Sequence, residues 1–443
     1  MKRWTTSKDF SASRTDELAL YGKPRLEGNF IVCVVGNLAS INIKSNPDGL
    51  ARWKYVVAAI VINLCLGAVY AFSILVPPLE AEFHWTRIET SPAFTIALLT
   101  FALSMIPAGR FQDRMGPRTV VTIGGILIGL GMILSSYTNS LLWLYMSYGI
   151  LLGLGIGFAY GAPIATCSKW FPDRKGLITG LVVFGFGGGA ILFAPLWTFF
   201  INNYSWQLNF LVSGLLFMAL TVISAQIMKN PPKDYKPAGW NPPEKSKVAM
   251  TEFEPTSMIR TLPFILIWVS YWFGTNAGLM IISQAKQVSM EIAKMDSLQA
   301  SLAVSILGGF NALGRILWGF VGDKIGREKA LTMDFLGCAA ALLIISTMFE
   351  STVFLFGLSL MGLCFGGFLA SYPALTSDYY GSKNLGVNYG VVFTAYGAGS
   401  VLGPIMAGYF RTYQGSYLPA FYISIVLALL GMALTMFLRK KAH

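Results

Sequence analysis

Residues 308–327 read GGFNALGRILWGFVGDKIGR, an apolar helix that carries one arginine, Arg315, and then runs into a compact Gly-Asp-Lys turn. An apolar run of this kind is surrounded by lipid, where a charge at bilayer depth costs about 2.5–3.5 kcal/mol on insertion scales. Counting back from Arg315 by helical periods puts Asn311, Gly308 and Ser301 near one face, with Leu307, Leu313, Ile316 and Leu317 over the others. Two readings are open. Either this polar, small-residue stripe faces protein or water and Arg315 meets an ionic ligand there, or Arg315, about 12 Å of helix rise from Asp323, snorkels out to the headgroups.

The rest of the chain is of the same kind. Of 443 residues, 54% are hydrophobic and only 12% charged, which lies outside the composition of a soluble globular domain. Twelve apolar segments of spanning length follow one another, at about 53–76, 88–108, 119–138, 141–168, 176–201, 206–228, 263–285, 298–318, 329–349, 351–376, 386–410 and 416–438. The fold class is therefore an all-α polytopic membrane protein, with both ends of the chain on one side. Arg315 is the one Lys or Arg in the interior of a segment, Lys54 and Lys329 standing at segment ends.

Lys and Arg in the loops settle the side, because cytoplasmic loops hold the excess. The loops after the even-numbered segments, with the C-terminal tail and with Lys329 at the very start of the ninth segment, hold 19 of them. The loops after the odd-numbered segments hold four: Arg87, Lys286, Lys294 and Arg411. Both termini are expected in the cytoplasm, and a plasma (inner) membrane location is expected with them. The net charge of +12 is spread over short loops rather than gathered on one domain, which argues against a nucleic-acid partner.

No cofactor, metal or catalytic constellation is legible. The five cysteines (Cys33, Cys65, Cys167, Cys338, Cys364) include no C-x-x-C pair, and His84 and His443 are too far apart for a ligand cluster. Gly153, Gly155 and Gly157 lie inside a long apolar segment, where close helix packing is their expected use. Residues 1–52 read as a cytoplasmic leader whose apolar run 30–43 is too short and too polar to span. Arg52-Trp53-Lys54 anchors the first segment at the interface.

A shift of 210 residues lays Gly109, Asp113, Arg114 and Gly116 on Gly319, Asp323, Lys324 and Gly326. It also carries Pro163 onto Pro373 and Gly176 onto Gly386, with Gly187 and Gly189 onto Gly397 and Gly399. Two six-helix halves, 53–228 and 263–438, are implied by this repeat. They are joined by a polar cytoplasmic linker at 229–262 and followed by a short tail, 439–443. Met105 stands where the repeat would place a second Arg315, so the positive charge belongs to one half only.

The paired G-x-x-x-D-[RK]-x-G turns resemble the signature of the major facilitator superfamily, over residues 53–438. Trp170-Phe-Pro-Asp-Arg174-Lys175-Gly176, leading into a Gly-rich fifth segment, resembles the monocarboxylate porters and the oxalate/formate exchanger group. Arg315 falls where those carriers hold a carboxylate-binding arginine. The resemblance places an aromatic binding cage on Tyr70, Tyr160, Phe186, Phe365 and Phe393, with Asn311 one turn before the arginine. Ordinary packing between helices is the alternative for each of these rings. The exchangers' second basic residue falls on Tyr396, a departure that puts oxalate itself in question.

What this implies is a secondary carrier of small monocarboxylates, of the lactate, pyruvate or formate type, working by alternating access as a monomer. Proton symport and anion exchange are both open. An oxalate/formate-type dicarboxylate exchanger is the runner-up; a carrier-like receptor would need a larger cytoplasmic domain than the linker and tail supply. The Asp113 and Asp323 turns are expected to act as hinges or latches, or else as helix N-caps. Asp334, near the cytoplasmic end of the ninth segment, is the one acidic residue in a segment interior, and proton symport is expected to survive Asp334→Asn.

Overall fold

Lipid offers no partners for backbone N–H and C=O groups, so a chain this apolar satisfies them within helices. The structure, a computed structural model, describes residues 51–232, 235, 237, 253–348, 350–381 and 385–441. Twelve spanning helices run through them: α1 Trp53–Ile74, α2 Arg87–Gln112, α3 Arg114–Ser135, α4 Leu141–Trp170, α5 Ile178–Asn203, α6 Trp206–Ile227, α7 Leu262–Glu291, α8 Ser297–Ile325, α9 Arg327–Thr347, α10 Ser351–Tyr380, α11 Val387–Gln414 and α12 Leu418–Leu438. Arg52–His443 form one compact unit. The leader and most of the linker lie outside the described residues, as do the side chains of Asp113, Arg174 and Lys175 and those of the tail.

Each helix coincides with an apolar segment of the sequence, and one difference is instructive. Helix α7 runs six residues past the expected end and takes Lys286 with it, 4% exposed. Arg315 is therefore not the only basic residue within a spanning helix. Arg87 and Arg411 likewise belong to α2 and α11 rather than to loops.

The packing carries the mark of the repeat. Helix α1 lies on α5 and α6, α2 on α4, and α3 on α6; correspondingly α7 lies on α11 and α12, α8 on α10, and α9 on α12. Of the contacts that join the first six helices to the last six, the two most extensive, α2 with α11 and α5 with α8, are exchanged by the same repeat, and α1 also meets α7. Gly116 and Gly326, which the 210-residue shift superposes, both sit at positive φ (79° and 90°). That region is open to glycine and costly for other residues, so the turn needs glycine in both places.

Small residues bring the helices together, as expected where lipid tails remove the hydrophobic drive between them. Cβ atoms added at Gly153 and Gly157 would meet the Ala97 and Phe101 carbonyls of α2 at 2.4 and 2.7 Å, and one at Gly155 would meet the Ile128 nitrogen of α3 at 2.6 Å. At Gly366 on α10, an added Cβ would lie 2.1 Å from the Asn311 carbonyl oxygen and 3.0 Å from the Arg315 nitrogen of α8. Gly366→Ala should therefore force α8 and α10 apart and cost about 1–3 kcal/mol, as overpacking does. A thermal melt in detergent checks this; an unshifted midpoint would refute so close a contact.

At one end, Arg52 grips Asp173 through two hydrogen bonds of 2.8 and 2.9 Å while its guanidinium lies 4.2 Å from the Phe171 ring centroid. Trp170 stacks on Tyr55 at 4.5 Å. The conspicuous Trp-Phe-Pro-Asp stretch thus pins the end of α4 to the start of α1.

Candidate functional site

Arg315 does not snorkel. It is 4% exposed, and its Nη1 donates to the Val183 carbonyl of α5 at 3.1 Å while Nε donates to Asn311 Oδ1 at 3.3 Å. Its Nη2, and Nδ2 of Asn311 one turn earlier on α8, are buried without hydrogen-bond partners. The polar stripe of the sequence is the buried face: Ser301, Gly308 and Asn311 are enclosed with Arg315, while Leu313 and Ile316 face outward. No carboxylate balances the guanidinium among the described contacts.

Around this cation the structure gathers every aromatic residue of the expected cage. The Phe186 ring lies under the guanidinium, 5.8 Å from its centroid, and meets Tyr70 edge-on at 5.2 Å and Tyr160 at 5.1 Å. Tyr70 reaches Phe365 of α10 at 5.9 Å, and its hydroxyl shares a 3.1 Å hydrogen bond with that of Tyr396 on α11. Tyr396 stacks on Phe393 at 4.7 Å. Helices α1, α4, α5, α8, α10 and α11 each place a side chain here, and all of these rings except Tyr160 are at most 3% exposed.

Phe101 joins the cage without having been marked by the sequence. This α2 residue lies between the two sides of the cage, within 5.2–6.0 Å of Tyr160, Phe186, Phe393 and Tyr396. The repeat does hold a signal for it, because the 210-residue shift that carries Met105 onto Arg315 carries Phe101 onto Asn311. Beyond Phe393, Tyr271 of α7 stacks on Tyr372 at 4.1 Å and shares a 3.4 Å hydroxyl hydrogen bond with Tyr389.

The two groups of helices are tied at the end opposite the start of α1. Arg87 of α2 holds Glu80 with both Nε and Nη2 (2.6 and 2.7 Å), and its Nη1 donates to Gln284 of α7 (3.1 Å) and to the Tyr417 hydroxyl (2.5 Å). Burial raises the Tyr417 phenol above its ordinary range, against the pull of Arg87. Gln284 donates to Ser91 and Gln287 to the Ser73 carbonyl, while Arg411 pairs with Glu291 at 2.6 Å. These bonds close that end. Lys286 lies on α7 eight residues beyond Gly278, whose Cβ position meets Phe365, hence about 12 Å further along the helix than the cage.

At the other end Asp323 does not cap a helix: the N-cap of α9 is Gly326, and Asp323 instead takes a 2.8 Å bond from Arg327, which also bonds Asp378 of α10 at 2.8 Å. Lys324 sits over the Phe320 ring at 4.3 Å. Gly109 and Arg114 are exposed, and Gly319 is half-buried. The turn after α8 thus links α8, α9 and α10 through one arginine.

Comparison with known proteins adds three kinds of finding. The family model of the Major Facilitator Superfamily matches residues 58–351 and 288–443. The chain is 29% identical over 354 residues to an uncharacterized MFS-type transporter, YhjX, of Escherichia coli (strain K12), spanning 79% of this chain and 86% of that one. It is 27% identical over 392 residues to the oxalate:formate antiporter of Oxalobacter formigenes (87% and 91% covered). It is 26% identical over 388 residues to monocarboxylate transporter 13 of Rattus norvegicus (87% and 88%). A solved bacterial homolog of the human lysosomal transporter Spinster, inward-facing and unoccupied, shares the fold at a TM-score of 0.64 and 16% identity, over 89% of this chain and 98% of that one.

Proposed function

This chain belongs to the major facilitator superfamily, and from that premise we propose that it carries small monocarboxylate anions, of the lactate or pyruvate type, through the cage around Arg315. The observation that carries this reading is the pair of unpartnered buried donors, Arg315 Nη2 and Asn311 Nδ2, on one helix face. A buried guanidinium left unbalanced is costly, and a carboxylate supplies both its charge and the acceptors its remaining N–H groups lack. Phe101, Phe186, Phe365 and Phe393 offer the rest of the substrate a wall suited to a short carbon chain, and the Tyr70–Tyr396 hydroxyl pair can meet a substrate hydroxyl or keto oxygen.

With both termini in the cytoplasm, the Arg87 network lies at the external end, and the cage, enclosed in this structure, opens to the inside when the opposite end parts. Transport by alternating access then requires these bonds to break while the opposite end closes. The Gly109–Gly116 and Gly319–Gly326 turns are the hinges of that exchange, and Arg327, held by Asp323 and Asp378, is its latch.

Purified protein reconstituted into liposomes and offered labelled lactate, pyruvate, formate, acetate and oxalate tests the reading. Uptake of lactate or pyruvate is expected, with oxalate disfavoured by at least on the order of a hundredfold. The similarity to an oxalate:formate antiporter supports a second reading, oxalate exchange. Preferential oxalate uptake would establish it and sink the first.

A further inference from the structure

Asp334 lies on α9, 1% exposed, and neither of its carboxyl oxygens has a hydrogen-bond partner. The sequence places this residue near the cytoplasmic end of its helix; the structure puts it out of reach of water. The carboxyl is inserted between helices: a Cβ added at Gly367 of α10 would lie 2.3 Å from Asp334 Oδ2 and 2.4 Å from Trp318 Cδ1 of α8. Both neighbours belong to the wall of the anion site, because Trp318 follows Arg315 by three residues and Gly367 follows Gly366, which abuts the Asn311 and Arg315 backbone. On the next turn of α10, Phe365 points into the aromatic cage while Cys364 faces Asp334.

Among the described residues nothing around the carboxyl balances a negative charge. On its own helix the titratable neighbour is Cys338, and on α10 there are Cys364 and, further off, Tyr372, whose hydroxyl donates to Ser270. Helix α8 presents the Trp318 indole, whose own N–H is unpartnered. Helix α12 presents Thr435, bonded to Thr332, and Gly431, packed on Phe335. Of the bases on α9, Arg327 is committed to Asp323 and Asp378, and Lys329 is exposed. A bare carboxylate in such a slot costs several kcal/mol, so the neutral acid is the form that fits.

We propose that Asp334 is a proton-binding site that couples anion transport to protons, with α8 and α10 as the shared wall between proton and anion. In the conformation described here it holds the proton. When α8 and α10 separate on α9, water enters the slot and the O–H bond of the acid breaks, leaving a carboxylate on Asp334 and passing the proton to that water. The anion bound at Arg315 moves the same two helices, so the two ligands bias one rearrangement.

Two measurements decide this, and the first needs no substrate. The infrared spectrum of the purified protein at neutral pH, minus that of Asp334→Asn, should contain the C=O stretch of a buried protonated carboxyl, shifted in heavy water. Its absence overturns the proposal. In liposomes, uptake of radiolabelled lactate driven by a proton gradient should fall in Asp334→Asn to the level of protein-free vesicles, while lactate–lactate exchange is retained. Retention of both, or equal loss of both, overturns the coupling role. Were the unmodified protein to move no lactate in either mode, the function proposed above would fail, and the infrared band would still decide the proton site.

Discussion

Arg315→Gln is expected to abolish carboxylate binding in a protein that still folds and inserts. Removing one partner of a buried charge pair costs about 2–5 kcal/mol, much of it from stranding the other charge. That corresponds to a loss of affinity between roughly 30-fold and several thousandfold. The fold itself should not suffer, because the guanidinium makes only two hydrogen bonds, to Val183 and Asn311, and leaves Nη2 bare. A neutral amide relieves that desolvated charge. Arg315→Lys should restore little, because a compact ammonium cannot hold the Val183 carbonyl and a substrate carboxylate with one planar fork. The readout is the thermal shift that millimolar lactate gives in detergent, compared among the three proteins. An undiminished shift in Arg315→Gln would remove Arg315 from the site.

Most of this site is legible in the chain, and the reason is geometric. A helix fixes which residues share a face, so spacing alone groups Asn311, Gly308 and Ser301 with Arg315. The apolar segments mark the twelve helices because in lipid length and hydropathy decide almost everything. What periodicity does not contain is depth. Lys286 and Arg87 look like loop residues because charges usually end an apolar run, yet Lys286 is buried in α7 and Arg87 is enclosed where the two groups of helices meet. The burial of Asp334 is hidden from the sequence in the same way. Distance from a helix end along the sequence says nothing of the neighbouring helices that shut water out. Phe101 escapes notice on different grounds: one more phenylalanine in an apolar helix carries no mark of its own, and only its register with Asn311 across the repeat distinguishes it.

Tyr396→Lys should narrow the discrimination against oxalate, which in the unmodified protein is expected to be at least on the order of a hundredfold. Oxalate brings two negative charges to a cage with one cation, and an unpaired buried carboxylate costs several kcal/mol even after relaxation. At position 396 the native side chain is a phenol, 0% exposed, stacked on Phe393 and bonded to Tyr70. An ammonium in its place keeps the Tyr70 oxygen as an acceptor and stands across the cage from Arg315, where a second carboxylate would lie. The same change should weaken lactate, whose hydroxyl loses the phenol pair that could meet it. Removing the Tyr396 ring also deletes its stack with Phe393, so a modest fall in melting temperature is expected in either case and does not discriminate. Competition by oxalate and by pyruvate against labelled lactate, in both proteins, does. A gap left unchanged by the substitution would make Tyr396 a packing residue. Strong inhibition of the unmodified carrier by oxalate would mean that a second cation already serves the site, and Lys286, the other buried base among the described residues, would be the one to replace next.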